Sequence, residues 1–314
     1  TALETTRVRP ALKHSLLTGW VGLAAAWAAG GCTPVELTKP LVQVEAIYDV
    51  PREYRVLSSL PCAEGAGLVY LLSGSGELHS FRPDTRETKK IGQLDCSTRF
   101  RTSPNSMAVD RAGMAWLNYM DGSLFQASIR DAKCRQVNYI PGQHGFMRYG
   151  MAFTSTGPDL SEETLFVWGG HSWWQRTPAG APGLGLASID RNALVMTKHG
   201  HDNSRISIRR AELTGTGDGR LFGFFASRPP RLAELDIHSG HIKSQLVLST
   251  LDVGRAWAFS FWGGDFFFYT AANGRTSAVH KLVVREGTVE QVVEDVGFLI
   301  VGAGVSTCAP TTVK

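Results

Sequence analysis

The feature that most constrains this chain is a four-strand unit that recurs along residues 61–310 and is divided between the two ends of that region. One copy reads 106–110, 113–119, 122–129 and 135–140. Each segment is short, rich in β-branched and aromatic residues, and bounded by Gly, Asp or Pro, which predicts strands joined by tight turns. A second copy runs 150–154, 163–168, 185–190 and 193–197, and a third 212–216, 220–225, 231–236 and 242–248. A fourth runs 257–261, 265–269, 278–284 and 289–293. Near the start, 67–72, 77–81 and 90–94 match the second to fourth strands of a unit that has no first strand. At the end, 298–305 reads as a first strand with nothing after it. The two fragments together make one whole unit.

Sharing one unit between the termini removes the exposed edges of a ring of small sheets. The spacing agrees: Met107 and Met151 are 44 residues apart and Phe259 and Val301 are 42 apart. Met151 and Leu213 are 62 apart, so the second copy carries insertions. Four-stranded periods of this length mark a β-propeller. Four internal copies and one shared copy predict an all-β propeller of five four-stranded blades. Six blades is the alternative, if 54–60 or an insertion builds another. A β-sandwich would leave the divided unit unexplained. Glycine, at 34 of 314 residues, exceeds the average of about 7%. Gly215, Gly217, Gly302 and Gly304 fall on or beside innermost strands, where small residues let backbones crowd an axis. With 19% charged residues, the chain fits neither a disordered segment nor a coiled coil.

Residues 1–31 read as targeting. Arg7, Arg9 and Lys13 form a basic start, 15–29 are uncharged and mostly apolar, and Ala29-Gly30-Gly31 precede Cys32. The pattern is a signal peptide followed by a lipobox-like cysteine, with Cys32 as the lipidated residue. An ordinary signal peptide is the alternative. Acylation would anchor the protein in the bacterial envelope, on the outer membrane, in the periplasm or at the cell surface, without spanning the bilayer. Residues 32–60, with Pro34, Pro40 and Pro51, read as a tether, 61–310 as the propeller and 311–314 as a tail. Removing three bases and one acid with the signal takes the net charge from +4 to +2. No basic stripe remains to mark a nucleic-acid partner.

Four further cysteines allow three pairings, and export permits disulfides. Cys62 precedes the divided blade and Cys308 follows the strand that completes it, which predicts Cys62–Cys308 as a lock on ring closure. Cys96 and Cys134 fall near the outer strands of adjacent blades, which predicts a second bridge. Free buried thiols are the alternative.

The loops from fourth to first strand and from second to third strand open on one end of a propeller. They hold Phe100 and Arg101; Gln143, His144, Phe146 and Arg148; His199, His201, Asp202 and Arg205; Arg255; and Trp168, His171, Trp173, Trp174 and Arg176. Aromatic planes with guanidinium and imidazole donors suit sugars, peptides or anions. The candidate ligand-binding residues are therefore Arg101, His144, Arg148, His171, Trp173, Trp174, His199 and Arg255. The competing reading makes the aromatics small cores of long loops. His199-Gly-His201-Asp202 matches no zinc spacing, so neither a metal nor another cofactor is expected. Asp110, Asp190, Asp218 and Asp236 recur at turns, where Asp bonds its own backbone. The 301–306 glycine-rich run lacks the Lys-Ser/Thr of a phosphate loop, and no nucleophile elbow is present.

The chain resembles a group of uncharacterised bacterial lipoproteins with propeller-type repeats. The resemblance covers roughly 60–310. It rests on Ser106-Met-Ala-Val-Asp, Ala211-Glu-Leu-Thr-Gly-Thr-Gly-Asp-Gly-Arg-Leu, Trp257-Ala-Phe-Ser-Phe-Trp-Gly-Gly-Asp and Val296-Gly-Phe-Leu-Ile-Val-Gly-Ala-Gly-Val-Ser-Thr-Cys308. More distantly the repeats are similar to the YVTN, NHL and quinoprotein-like propellers, but the regular Trp positions of quinoprotein blades are missing and no quinone is implied. The expected role is a monomeric, lipid-anchored binding or scaffold module for a protein, peptide or glycan. The alternative is a carbohydrate-active enzyme, a glycosidase or lyase, with its site on the loop-rich end. Paired carboxylates would mark a glycosidase. The inner-strand starts carry Met107, Met151, Leu213, Phe259 and Val301, with only Asp110 and Glu212 nearby, which favours binding over catalysis.

Overall fold

The computed structural model describes residues 61–96, 102–170, 183–201 and 209–312. The signal, Cys32, the tether and the 54–60 segment lie outside the described residues, as do Arg101, His171, Trp173 and Trp174. Twenty strands form five four-stranded antiparallel sheets. Blade I is β20 (Ile300–Val305), β1 (Val69–Ser73), β2 (Glu77–Arg82) and β3 (Glu87–Gln93), so the two ends of the repeat region share a sheet. Blade II is β4 (Pro104–Val109), β5 (Met114–Tyr119), β6 (Leu124–Ser128) and β7 (Cys134–Gln136). Blade III is β8 (Tyr149–Thr156), β9 (Glu162–Gly169), β10 (Gly185–Ile189) and β11 (Met196–Gly200). Blade IV is β12 (Ala211–Gly215), β13 (Leu221–Phe225), β14 (Arg231–Leu235) and β15 (Ile242–Val247). Blade V is β16 (Trp257–Trp262), β17 (Asp265–Thr270), β18 (Ala278–Val283) and β19 (Thr288–Val293). The fold is the five-bladed propeller.

The core is divided among five blade-to-blade interfaces, each with its own apolar cluster. Blades IV and V meet through Phe222, Phe224, Phe259, Phe266 and Phe268. Blades II and III meet through Trp116, Met151, Phe153 and Leu165. Between V and I, Phe81 packs edge-on against Phe267 and Tyr269. That last interface joins the last complete blade to the shared one and so closes the ring. Inner strands are buried on both faces, whereas β3 and β15 alternate toward water, as expected for sheets stacked face to face with only their outer edges wet.

The first strands approach closely because they lack side chains where backbones meet. A Cβ on Gly150 would lie 2.1 Å from the Ala211 carbonyl oxygen, and one on Gly215 would lie 2.1 Å from that of Phe153. Gly302 and Gly304 face β4 at 3.1 Å. Gly217, by contrast, lies in the turn after β12.

Both expected disulfides form: Cys62–Cys308, with Cα atoms 6.1 Å apart, and Cys96–Cys134, 5.0 Å apart. The first sits where Ser306 Oγ donates to Ala66 O and Trp262 Nε1 donates to Gly67 O, so covalent and hydrogen-bonded closure coincide. Disulfides of this kind belong to an oxidising, exported environment. Among the described residues no helix is long and apolar enough to cross a membrane.

Turn chemistry fixes the strand ends. Asp110 Oδ1 accepts from Met114 N and its Oδ2 from Trp116 Nε1. Asp190 Oδ1 accepts from Asn192 N and Ala193 N, and Asp236 Oδ1 from His238 N and Ser239 N. The Asp190 turn, with Leu194 at φ 57°, delays β11 to Met196, three residues later than the apolar pattern suggests. β7 stops at Gln136, because 137–148 folds onto blade III instead of extending the sheet.

Candidate functional site

Two polar constellations close the propeller axis, one at each end. At the end carrying the short turns from first to second strand, Arg111 is 3% exposed and reaches three other segments. Its Nε donates to Thr307 Oγ1, and its Nη2 to Ser155 Oγ at 2.7 Å and to Leu160 O. Glu163 accepts from Arg111 N, from Thr307 Oγ1 and from Arg191 Nη1 at 3.0 Å. Burial pushes the Glu163 carboxyl up against these stabilising donors. The group ties blades II and III to the segment that carries Cys308. A polar cleft of about 420 Å³ beside it, lined by Glu162, Thr164, Ser188, Asn192 and Thr197, has the Arg191–Glu163 pair as one wall.

At the other end, where the long loops converge, β12 and β4 touch across the axis. Ala211 and Leu213 face blade III, which leaves Arg210 and Glu212 on the opposite face of the strand. Ser106 Oγ donates to Glu212 Oε2 at 2.6 Å, and Arg210 Nη2 donates to Asn105 Oδ1 at 2.6 Å. Asn105 Nδ2 in turn donates to Asn118 Oδ1 and Tyr149 O, which holds its oxygen toward the arginine. Gly150 lies under the crossing; a side chain there would strike Glu212 Cα at 2.6 Å. The absent side chain is what allows Glu212 to reach past β8 to Ser106.

Burial drives the Glu212 carboxyl from its ordinary 4.5 up to about 8, with the Ser106 bond and the Arg210 charge pulling the other way. Glu212 is therefore a protonated acid through most of the neutral range. Arg210 is lowered by burial, and the neighbouring Arg148 charge adds to that. Its Nη2 bond to Asn105 is its one hydrogen bond among the described residues, and its Nε is buried without a partner. The floor of this mouth thus carries arginine charge above a neutral carboxyl.

A pH test follows directly. In the unfolded chain Glu212 loses its proton near 4.5, whereas in the fold it keeps it to about 8. The folded state binds the extra proton between those values, so its stability falls as pH rises from 4.5 to 8 and then levels. Glu212→Gln keeps an acceptor for Ser106 and removes the titration. Chemical denaturation across that range should give a flatter stability profile for the variant. An unchanged slope would show that Glu212 ionises normally.

The other expected residues take separate places. Arg148 lies beside Arg210 just before β8, half-buried. His144 sits at φ 51° with Nε2 3.2 Å from Met196 O, and Gln143 bonds Leu194 O and Met196 N on either side of it, so this stretch binds to the outer strand of blade III. His199 lies within β11, its Nε2 2.8 Å from Ser188 Oγ and its ring tilted against Phe166. Burial lowers its pKa, and so does the nearby His238. Arg255 is exposed, with its side chain along the backbone of Gly274. Trp168 is fully buried in β9 and donates to Arg209 O, which makes it core. Among the described residues no group of three His, Cys, Asp or Glu is placed to hold a metal ion. Asn105, Ser106, Asn118 and Arg210 escaped the sequence reading. Their only signal is polarity on or just before the first and second strands, where Glu212 was picked out.

No protein-family model matches the chain, and no curated protein does. Among solved structures it is similar to hydrazine synthase of Kuenenia stuttgartiensis at 12% identity, over 77% of this chain and 70% of that one, with TM-score 0.38. A protein of unknown function from Bacteroides caccae matches at 13% identity, over 76% and 98%, with TM-score 0.41. Another from Bacteroides thetaiotaomicron VPI-5482 matches at 10% identity, over 70% and 57%, with TM-score 0.45. Likenesses this distant carry no functional assignment to this chain.

Proposed function

We propose that this protein is a lipid-anchored, monomeric envelope propeller that binds a protein, peptide or glycan at the axial mouth formed by Asn105, Arg148, Arg210 and Glu212. One observation carries the reading: the two ends of the axis differ. Arg111 spends its donors on Thr307, Ser155 and Leu160, whereas Arg210 has, among the described residues, only Nη2 engaged and sits where the long loops meet. A half-buried guanidinium whose Nε has no partner among the described residues is what a binding site needs and a structural tie does not. The two disulfides support export, and Cys32 after its apolar segment supports anchoring by acylation.

The enzyme alternative has one feature in its favour, since a carboxyl held neutral to about 8 is in the state a general acid requires. Yet Glu212 is 6% exposed and its acceptor is taken by Ser106. Among the described residues its electrostatic neighbours are Ser106 and Arg210, with no second carboxylate to complete a glycosidase pair.

The test is a combined glycan and peptide array probed with the full chain and with an Arg148→Ala, Arg210→Ala double variant. Signals held by the wild type should drop at least about tenfold in the variant, the loss of roughly 1.4 kcal/mol. Signals that persist undiminished would place binding elsewhere. Hydrolysis of any arrayed glycan would overturn the binding reading in favour of catalysis.

A further inference from the structure

Among the described residues the long-loop end of the propeller is armed with arginine and has no lysine. Its described loops hold Arg148, Arg209, Arg210, Arg228, Arg255 and Arg275, whereas the described lysines lie on third or outer strands or in a turn of the opposite end. The arginines that form ion pairs, Arg82, Arg111, Arg191 and Arg220, also lie at the opposite end. Arg209, Arg228, Arg255 and Arg275 are exposed, and none of these guanidinium groups has an ion pair or hydrogen bond among the described residues. The acids nearby do not neutralise them by contact. Asp252 accepts from Gly254 N, and Asp295 from Gly297 N and Thr276 Oγ1, so each is spent on its own loop or the adjoining one.

The positions trace an arc. Arg209 and Arg210 lie at the III–IV junction, Arg228 in the loop after β13, Arg255 at the IV–V junction with its side chain by Gly274, and Arg275 next to that glycine in the chain, in the loop after β17. We infer that this arc binds an acidic polysaccharide whose sugar carboxylates dock on successive arginines, with Arg210 at the inner end. The inference rests on the binding-module reading and names the ligand's chemistry. Guanidinium offers a planar fork that matches carboxylate oxygens in pairs, which an ammonium cannot do. Charges spread over three blades suit an extended polyanion better than a single ion. A protein partner would need apolar anchors among the charges. Among the described residues the exposed apolar side chains of this end, Met120, Ile140 and Met147, sit instead over blade II, and Val247 lies on an outer strand.

The experiment is titration calorimetry of the full chain with oligogalacturonate, with the same oligomer methyl-esterified, and with polyglutamate of equal charge. The oligogalacturonate should bind and weaken with added salt, and the ester should bind at least about tenfold more weakly. The surface variant Arg209→Ala, Arg255→Ala, Arg275→Ala should weaken the acid form by about tenfold, at roughly half a kcal/mol per exposed contact, with thermal stability unchanged. Equal binding of the ester, or an unaffected variant, would overturn the proposal. Tighter binding of polyglutamate would replace it with an acidic-peptide ligand. If the array captures other ligands through Arg210 while oligogalacturonate fails to bind, the acidic-glycan proposal falls and the binding-module reading stands.

Discussion

Replacing Cys62 and Cys308 together by serine should lower the thermal midpoint by about 10 °C, the largest shift expected from any change outside the core. The bridge spans 246 residues, so it removes far more freedom from the unfolded chain than a short loop would. The chain-entropy relation gives about 5 kcal/mol for a loop of that size. Dividing by an unfolding entropy of about 0.5 kcal/mol/K, that of a domain of roughly 250 residues, yields the shift. The Cys96–Cys134 bridge spans 38 residues and joins the segment just after outer strand β3 to outer strand β7. Its removal should cost about 4 kcal/mol by the same relation. The order of the two effects is the sharper expectation. Without Cys62–Cys308, the β1–β20 ladder, the Ser306–Ala66 bond and the V–I apolar cluster still hold the ring. The variant should therefore fold and unfold earlier, with fraying that begins at blade I. Differential scanning calorimetry of both double variants measures this, and equal midpoints for variant and wild type would show that the bridge adds nothing to closure.

The second large effect lies at the opposite end of the axis from the proposed mouth. Glu163→Ala should destabilise by about 3–5 kcal/mol, because it leaves Arg111 buried without a counter-charge. Arg111 N–H and Thr307 also lose their acceptor, and Arg191 faces Arg111 with nothing between them. Glu163→Gln keeps an acceptor and should cost less. Arg191→Ala, whose side chain is 36% exposed, should cost least. Urea unfolding of the three variants gives the order directly. A Glu163→Ala variant as stable as Arg191→Ala would mean that Arg111 finds water or another partner when the carboxylate is gone.

The ring was legible in the sequence because its signals are local. Short runs of β-branched and aromatic residues bounded by Gly, Asp or Pro mark strands wherever they occur, and counting fragments at the two ends of the repeat region needs no knowledge of packing. The disulfides followed from the count, since Cys62 and Cys308 flank the one divided blade. What stayed hidden depends on phase and distance. The tie between Ser106 and Glu212 joins residues 106 apart and depends on which face of β12 turns to the axis. It also depends on Gly150, whose missing side chain matters only once β8 and β12 are side by side. His199 was read as a loop residue because Val195 and Met196 continue the apolar pattern of a strand beginning at 193. The Asp190 turn delays that strand and carries His199 into it. Strand phase, not residue type, separated the visible parts of the site from the hidden ones.

The proposed site is the axial mouth and not the opposite end, where Arg111, Glu163 and Thr307 fill the axis. Hydrogen–deuterium exchange of the full chain, with and without an array-identified ligand at saturating concentration, tests it most directly. Added protection is expected at 105–106, 148–150 and 210–212, with 111, 155, 163 and 307 unchanged. Protection confined to the segments around Glu163 and Arg191, with the mouth unaffected, would contradict it.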